Sequence, residues 1–231
     1  MEPLMKDYTK TMEGGKIKLT IVYDNVVYKK DIGLQPDWGF SCLIETENET
    51  ILFDTGARGN ILLSNMEKIG IDPRNIGKIA ISHEHWDHNG GLKALVPVVS
   101  TVELYRLGNK TLSKNMCLMS VENPREITEG IYTTGRLKAS VDEQSLVLKG
   151  DEGWYVLVGC SHPSVEEILN AAKQYGDIMG LVGGFHGFNN FSILEELDFI
   201  CPCHCTKYKK KIHELFPRTC VEGGVGRIIE I

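Results

Sequence analysis

The pattern H-x-H-x-D-H in His83-Glu84-His85-Trp86-Asp87-His88 puts three imidazoles and the Asp87 carboxylate within six residues. The apolar run Ile79-Ala80-Ile81 leads in, and Asn89-Gly90-Gly91 leads out. That context reads as a short buried strand emptying into a tight turn. Along the extended part, alternation points His83 and His85 to one side. Asp87 and His88 fall where the chain turns, so they can face a second point a few Å away. A polar surface loop is the bland alternative, but it gives no reason for so many imidazoles directly after a buried strand. Imidazole and carboxylate together suit a borderline divalent ion such as zinc, manganese or iron. Two such ions about 3.5–4 Å apart can share one hydroxide and aim it at a phosphoryl or carbonyl centre.

Further polar groups sit at the ends of other apolar runs. Asp54 closes Ile51-Leu52-Phe53 and opens Thr55-Gly56. It can hold a ligand histidine in one tautomer, or simply form the turn. His162 follows Val156-Leu157-Val158 and Gly159-Cys160-Ser161, with an open side towards the end of the sheet. Cys160 is either a thiolate that reaches a metal or a buried thiol. His186 follows Gly183-Gly184-Phe185; it can ligate a metal, protonate a leaving group, bind substrate, or be a structural histidine. His204 lies in Cys201-Pro202-Cys203-His204-Cys205. Alternation puts the three cysteines on one side of a strand and His204 on the other. His204 is then a metal ligand with the cysteines as bystanders, or the cysteines bind a metal or iron–sulfur cluster. The chain contains no C-x-x-C, and clusters use four cysteines in wider spacings. Lys207 and Lys209 follow at the start of a helix, where they can hold an anionic phosphate or form a solvated face.

The periodicities predict strands over 17–23, 40–45, 50–53, 79–82, 101–104, 130–133, 145–149, 154–158, 178–182, 199–204 and 225–231. Helices are expected over 60–69 with Asn60 as cap, over 164–175 with Ser164 and Glu167 as a capping box, over 191–197, and over 206–216 with Thr206 as cap. A short helix at 92–95 follows the histidine cluster. Segment 98–135 carries no clear pattern beyond its two short strands. At 231 residues and 42% hydrophobic content, one domain over 17–231 is expected behind a flexible tail at 1–16, with Met5 or Met12 as alternative starts. The net charge of −6 argues against a nucleic-acid or anionic-membrane partner. No apolar run nears 18 residues, and the start lacks the apolar centre of a signal peptide, so a cytoplasmic location is expected. Seven cysteines without a secretion signal do not read as a disulfide framework.

With these motifs in place, His83-x-His85-x-Asp87-His88 after the Asp54-Thr55-Gly56 strand end resembles the metallo-β-lactamase fold superfamily. The resemblance runs from about Ile17 to Ile231. The later runs Gly-Cys-Ser-His (159–162), Gly-Gly-Phe-His (183–186), His-Cys-Thr (204–206) and Gly-Val-Gly (224–226) are similar to the branch of dihydropterin ribofuranosyl-aminobenzene 5′-phosphate synthases. The resemblance implies an α/β protein, an αβ/βα four-layer sandwich with a binuclear site at one edge of its two sheets. It implies one ion on His83, His85 and a third histidine, another on Asp87, His88 and His204, and Asp54 behind them. The usual third histidine falls at Gly135-Arg136 here, and the usual bridging aspartate at Gly159-Cys160. His162 substitutes for one of them; the bridge is missing, or comes from Cys160 or water. His85 stands where the superfamily's di-iron oxygen reductases carry glutamate, which favours hydrolysis over redox chemistry.

The expectation is therefore a metal-dependent hydrolase with two divalent ions, zinc before manganese or iron, and a metal-bound hydroxide as nucleophile. Asp87 would orient that hydroxide and His186 protonate the leaving group. The substrate is a small anionic molecule, a phosphoester or pterin phosphate. Alternatives are a lactonase or phosphodiesterase of the same fold, an electron-transfer protein built on the cysteine run, or a non-catalytic ligand binder.

Overall fold

The computed structural model describes residues 16–110 and 112–231. Of the expected tail, only Lys16 is among them. The first half of the chain builds β1 (Lys18–Tyr23), β2 (Ser41–Glu45), β3 (Thr50–Phe53), α1 (Gly59–Ile69), β4 (Lys78–Ala80), α2 (Trp86–Asn89), α3 (Leu92–Leu95), β5 (Val102–Arg106) and β6 (Met116–Ser120). The second half builds β7 (Arg125–Thr128), β8 (Ile131–Thr133), β9 (Leu146–Lys149), β10 (Trp154–Val158), α4 (Val165–Ala172), β11 (Ile178–Gly184), β12 (Phe199–Cys203), α5 (Lys209–Leu215) and β13 (Ile228–Glu230). One sheet has the order β13-β1-β2-β3-β4-β5-β6 and the other β12-β11-β10-β9-β8-β7.

Strand alternation assigns each residue to a layer. Leu19 and Ile21 of β1, Cys42 and Ile44 of β2, and Ile51 and Phe53 of β3 meet Leu146 and Leu148 of β9, Leu157 of β10 and Val182 of β11 between the sheets. The alternate residues Val22, Leu43 and Leu52 face Leu62 and Met66 of α1. Val156, Val158 and Leu181 face Ile168 and Leu169 of α4 and Ile212 of α5. The result is the expected four-layer α/β sandwich.

The parallel strands set where chemistry can occur. β3 and β4 run side by side with Phe53 opposite Ala80. In the second sheet Val158 of β10 pairs with Gly183, and Gly184 of β11 pairs with Cys203 of β12. Their carboxyl ends are therefore level, and every histidine-bearing turn leaves from the same rim. Ligand sites of α/β sheets lie outside these ends.

Several local expectations need correction. Asn60 does not cap α1; Arg58 takes the N-cap position without a side-chain bond. Thr206 does not cap α5, which starts at Lys209. Its hydroxyl donates to the Cys203 carbonyl at 2.7 Å and accepts from the Phe185 amide at 2.9 Å, tying two strand ends together instead. Residues 191–196 form a 3-10 helix. Ser164 does cap α4, accepting from the Glu167 amide at 3.2 Å, while the Glu167 carboxylate reaches the Ser164 hydroxyl. In segment 98–135 the strands β6 and β7 were not anticipated; both are edge strands without apolar alternation. The terminal strand β13 covers only 228–230, and Val225 forms a separate parallel bridge with Val27.

Candidate metal centre

Five strand ends converge. β3 delivers Asp54, β4 delivers His83 through His88, β10 delivers Cys160 and His162, β11 delivers His186 and β12 delivers His204. Asp54, Ser161, His186 and His204 adopt positive φ of 56°, 61°, 43° and 42°. Each non-glycine residue held there costs on the order of 1–2 kcal/mol. That strain is concentrated on the turns that aim side chains into the rim.

The imidazoles are oriented from behind. His88 Nδ1 donates to Asp54 Oδ2 at 2.7 Å. The same carboxylate accepts from the Ser82 amide and the Ser82 hydroxyl, each at 2.7 Å. Because the Ser82 hydroxyl spends its proton on Asp54, its oxygen accepts from His83 Nδ1 at 2.9 Å. His204 Nδ1 donates to Asn25 Oδ1 at 2.9 Å. All three rings thus turn Nε2 inward as a bare lone pair. His83 Nε2 lies 3.1 Å from His85 Nδ1, so two nitrogens point at one place. The Nε2 atoms of His162 and His204 are buried without any hydrogen-bond partner, an arrangement that costs free energy unless a ligand satisfies them.

Two donor groups result. The donor atoms of His83, Cys160 and His162 lie within 4.8 Å of one another, and so do those of His88, Cys160 and His204. Cys160 Sγ belongs to both and is 3.2 Å from His88 Nε2. Asp87 Oδ2 is 3.4 Å from His204 Nε2 and 3.9 Å from His88 Nε2. The half-buried His162 ring contacts His83, His85 and His186 at centroid distances of 4.8, 5.0 and 5.2 Å. His85 and His186 are exposed towards the mouth. This donor set, soft sulfur with imidazole and carboxylate, fits divalent metal.

Charge and burial act consistently. Burial, reinforced by His204, depresses the His88 pKa to about 3, and burial with neighbouring His85 and His186 depresses His162 to about 4. Burial drives His83 lower still. The rings are therefore neutral and able to donate lone pairs to a metal. Burial raises Asp87, but the His204 and His88 imidazoles facing its carboxylate outweigh it and keep the carboxyl well below its ordinary range. The neighbouring Cys205 thiol, together with burial, holds Cys160 protonated; a cation alongside would reverse that.

Several supporting residues carry no local sequence signal. Fully buried Glu143 accepts from the amides of Gly159, Cys160 and Ser161 at 3.1, 2.8 and 3.1 Å, and from that of His162 at 2.8 Å. It shapes the turn that carries Cys160 and His162; burial raises its pKa to about 7 against those bonds. Asp24 accepts from the His204 amide at 2.8 Å. Arg106, at the end of β5, holds Glu84 through its Nε at 3.0 Å. Trp38 donates its indole N–H to Asp87 Oδ2 at 2.8 Å.

Other expected features lie apart from the donors. Arg136 pairs with Glu122 and Asp142 at 2.7 and 2.9 Å. Lys209 Nζ sits 3.9 Å from Asp24. Lys207 is exposed, and its amide donates to the His186 carbonyl at 2.8 Å. The cysteine run does not gather on one side. Cys201 and Cys203 pack in the core with sulfurs 3.8 Å apart, whereas Cys205 passes beyond the strand end and turns towards the Cys160 carbonyl at 3.9 Å. Among the described residues, the candidate metal groups use one cysteine, Cys160.

Two facing sheets with clustered imidazole, thiol and carboxylate donors at their carboxyl rim define a metallohydrolase-like α/β sandwich. The family model of the metallo-beta-lactamase superfamily matches residues 36–166, over half of the chain, and the chain belongs to that superfamily. An uncharacterised protein of Methanocaldococcus jannaschii is 29% identical over 92% of this chain and 100% of its own length. From the same organism, 7,8-dihydropterin-6-methyl-4-(β-D-ribofuranosyl)-aminobenzene-5′-phosphate synthase is 25% identical over 75% of this chain and 83% of its own, in line with the branch resemblance. A crystal structure of a metal-dependent hydrolase of the β-lactamase superfamily superposes with a TM-score of 0.73 at 23% identity, covering 93% and 99% of the two chains. It shares the fold. Membership supports a metal-dependent hydrolase-like function. No helix among the described residues is long and apolar enough to cross a membrane.

Proposed function

We propose that this chain is a hydrolase that uses two divalent ions, zinc in the first instance, to cleave a phosphoester on a small anionic molecule. His83, His85 and His162 would hold one ion, and Asp87, His88 and His204 the other, with Cys160 donating between them. The observation that carries this reading is the membership of Cys160 Sγ in both donor groups. The two groups draw on both sheets, so residues 17–231 would act as one domain.

Two ions so placed supply Lewis acidity and lower the pKa of water. The chain's own residues do the rest. Asp54, Ser82 and Asn25 fix three imidazole tautomers. Asp87 orients the attacking water through its carboxylate. His186, exposed beside His162, protonates the leaving oxygen. Lys207, next to the His186 backbone, attracts the substrate's distal phosphate from the mouth of the site. The phosphate in the name of the Methanocaldococcus jannaschii relative favours phosphoesters over lactones.

The test is metal content by mass spectrometry together with turnover of chromogenic phosphomonoesters, phosphodiesters and lactones. The reading expects two ions per chain and phosphoester turnover, with His83→Ala and His88→Ala folded but inactive. Full activity in either variant would overturn it.

A further inference from the structure

Trp38 leaves 52% of its surface exposed, although a free indole on a surface loop gains by turning inward. It stays outward because both parts of the ring are engaged at the rim. The indole N–H donates to Asp87 Oδ2 at 2.8 Å. The ring meets His204 edge to face, with centroids 5.0 Å apart. The backbone beneath is clamped to the same residue. The Phe40 amide donates to the Asp87 carbonyl at 3.3 Å. A Cβ on Gly39, at φ 141°, would stand 2.4 Å from that carbonyl, so only glycine lets the two segments close. The Gly39 amide donates to Asn25 Oδ1 at 3.2 Å, the same oxygen that orients His204.

We propose that Trp38 is a positioning residue for the ion of the Asp87, His88 and His204 group, which it serves by holding Asp87 Oδ2 towards His204 and His88. This rests on the two-ion reading given above. The terminal torsion of an aspartate is broad and roughly two-fold, so something outside must decide which oxygen faces the donors. Oδ2, the oxygen that Trp38 grips, lies 3.4 Å from His204 Nε2 and 3.9 Å from His88 Nε2. Indole suits the task because it is a donor only. It cannot compete for the cation, and being neutral it leaves the carboxylate's charge for the ion. A lysine or arginine there would cancel that charge.

The experiment titrates metal-free wild type and Trp38→Phe with Zn²⁺ in competition with a chromogenic chelator, and repeats the titration with Co²⁺ to read its visible bands. Phenylalanine keeps an aromatic edge for His204 and removes the N–H. The expected result is a fall of about 10- to 100-fold in affinity for one ion, the range for removing such an outer partner. The other ion stays within about twofold. The Co²⁺ bands of the weakened ion alone shift, and the metal-free thermal midpoint is unchanged. Unchanged affinity for both ions overturns the proposal. Equal weakening of both with a lowered midpoint also overturns it, because Trp38 would then be only structural. Wild type holding a single ion refutes the two-ion reading instead. In that case the comparison on that ion decides: weakening in Trp38→Phe supports the role of Trp38, and unchanged binding overturns it.

Discussion

Asp54→Asn isolates the contribution of the buried carboxylate to metal affinity. Asparagine is isosteric and tolerates the positive φ of 56° at this position, so neither cavity nor backbone strain is added. One Asp54 oxygen can still accept from the Ser82 amide. The other becomes an NH₂ group facing His88 Nδ1, 2.7 Å away. Two donors cannot share that gap, so His88 moves its proton to Nε2, where the metal lone pair was. Losing a hydrogen bond to a charged group costs about 1.5–3 kcal/mol, and each 1.4 kcal/mol is about tenfold. The ion bound by His88 should therefore weaken about 10- to 100-fold. The ion bound by His83 should weaken less, because the Ser82 hydroxyl relays the change to His83 only indirectly. Metal-free stability should hardly fall, since burial raises the Asp54 pKa and makes its charge costly at neutral pH. Zinc titration with a competing chelator and a melt of the metal-free protein read both quantities. Affinities within about twofold of wild type for both ions would refute the tautomer argument.

Other variants probe the rest of the site. Cys160→Ala should lose at least one ion, whereas Cys160→Asp, which restores the carboxylate usual in the superfamily, should keep both; metal content checks each. His186→Ala should keep both ions and lower kcat by about 10²- to 10⁴-fold, the range for a lost proton donor, measured on the best phosphoester found. His162 holds its proton to about pH 4 in the fold, against an ordinary value of 6.5. The native state thus binds fewer protons than the unfolded one between those values, and this contribution is complete above pH 6.5 and lost as the pH falls towards 4. Metal-free wild type should therefore lose stability relative to His162→Gln across that window in denaturant melts, and a gap independent of pH would contradict the assignment.

The donors were legible because each follows a short apolar run, and a strand end is a local pattern. His83, His85, Asp87 and His88 announce themselves within one hexapeptide. The supports were not legible, because each acts across the sequence. Asp24 holds the His204 amide from 180 residues away, Asn25 orients the same ring, and Trp38 reaches 49 residues to Asp87. Glu143 sits in the polar run Asp142-Glu143-Gln144, which reads as a solvated turn until the fold buries it beneath the 159–162 backbone. Thr206 failed as a helix cap for the same reason: a hydroxyl that suits a helix start locally was drawn into a bridge between strand ends. Most strands followed from their short apolar or alternating runs, and the facing of the two sheets from the family resemblance, while the polar edge strands β6 and β7 offered no such pattern.

The central claim is that two ions share the Cys160 thiolate. X-ray absorption at the zinc edge of fully loaded protein tests it most directly. The account predicts a zinc–sulfur path at about 2.3 Å together with a zinc–zinc path at about 3.5–4 Å, and loss of the sulfur path in Cys160→Ala. A zinc shell of nitrogen and oxygen alone in the wild-type protein would contradict it.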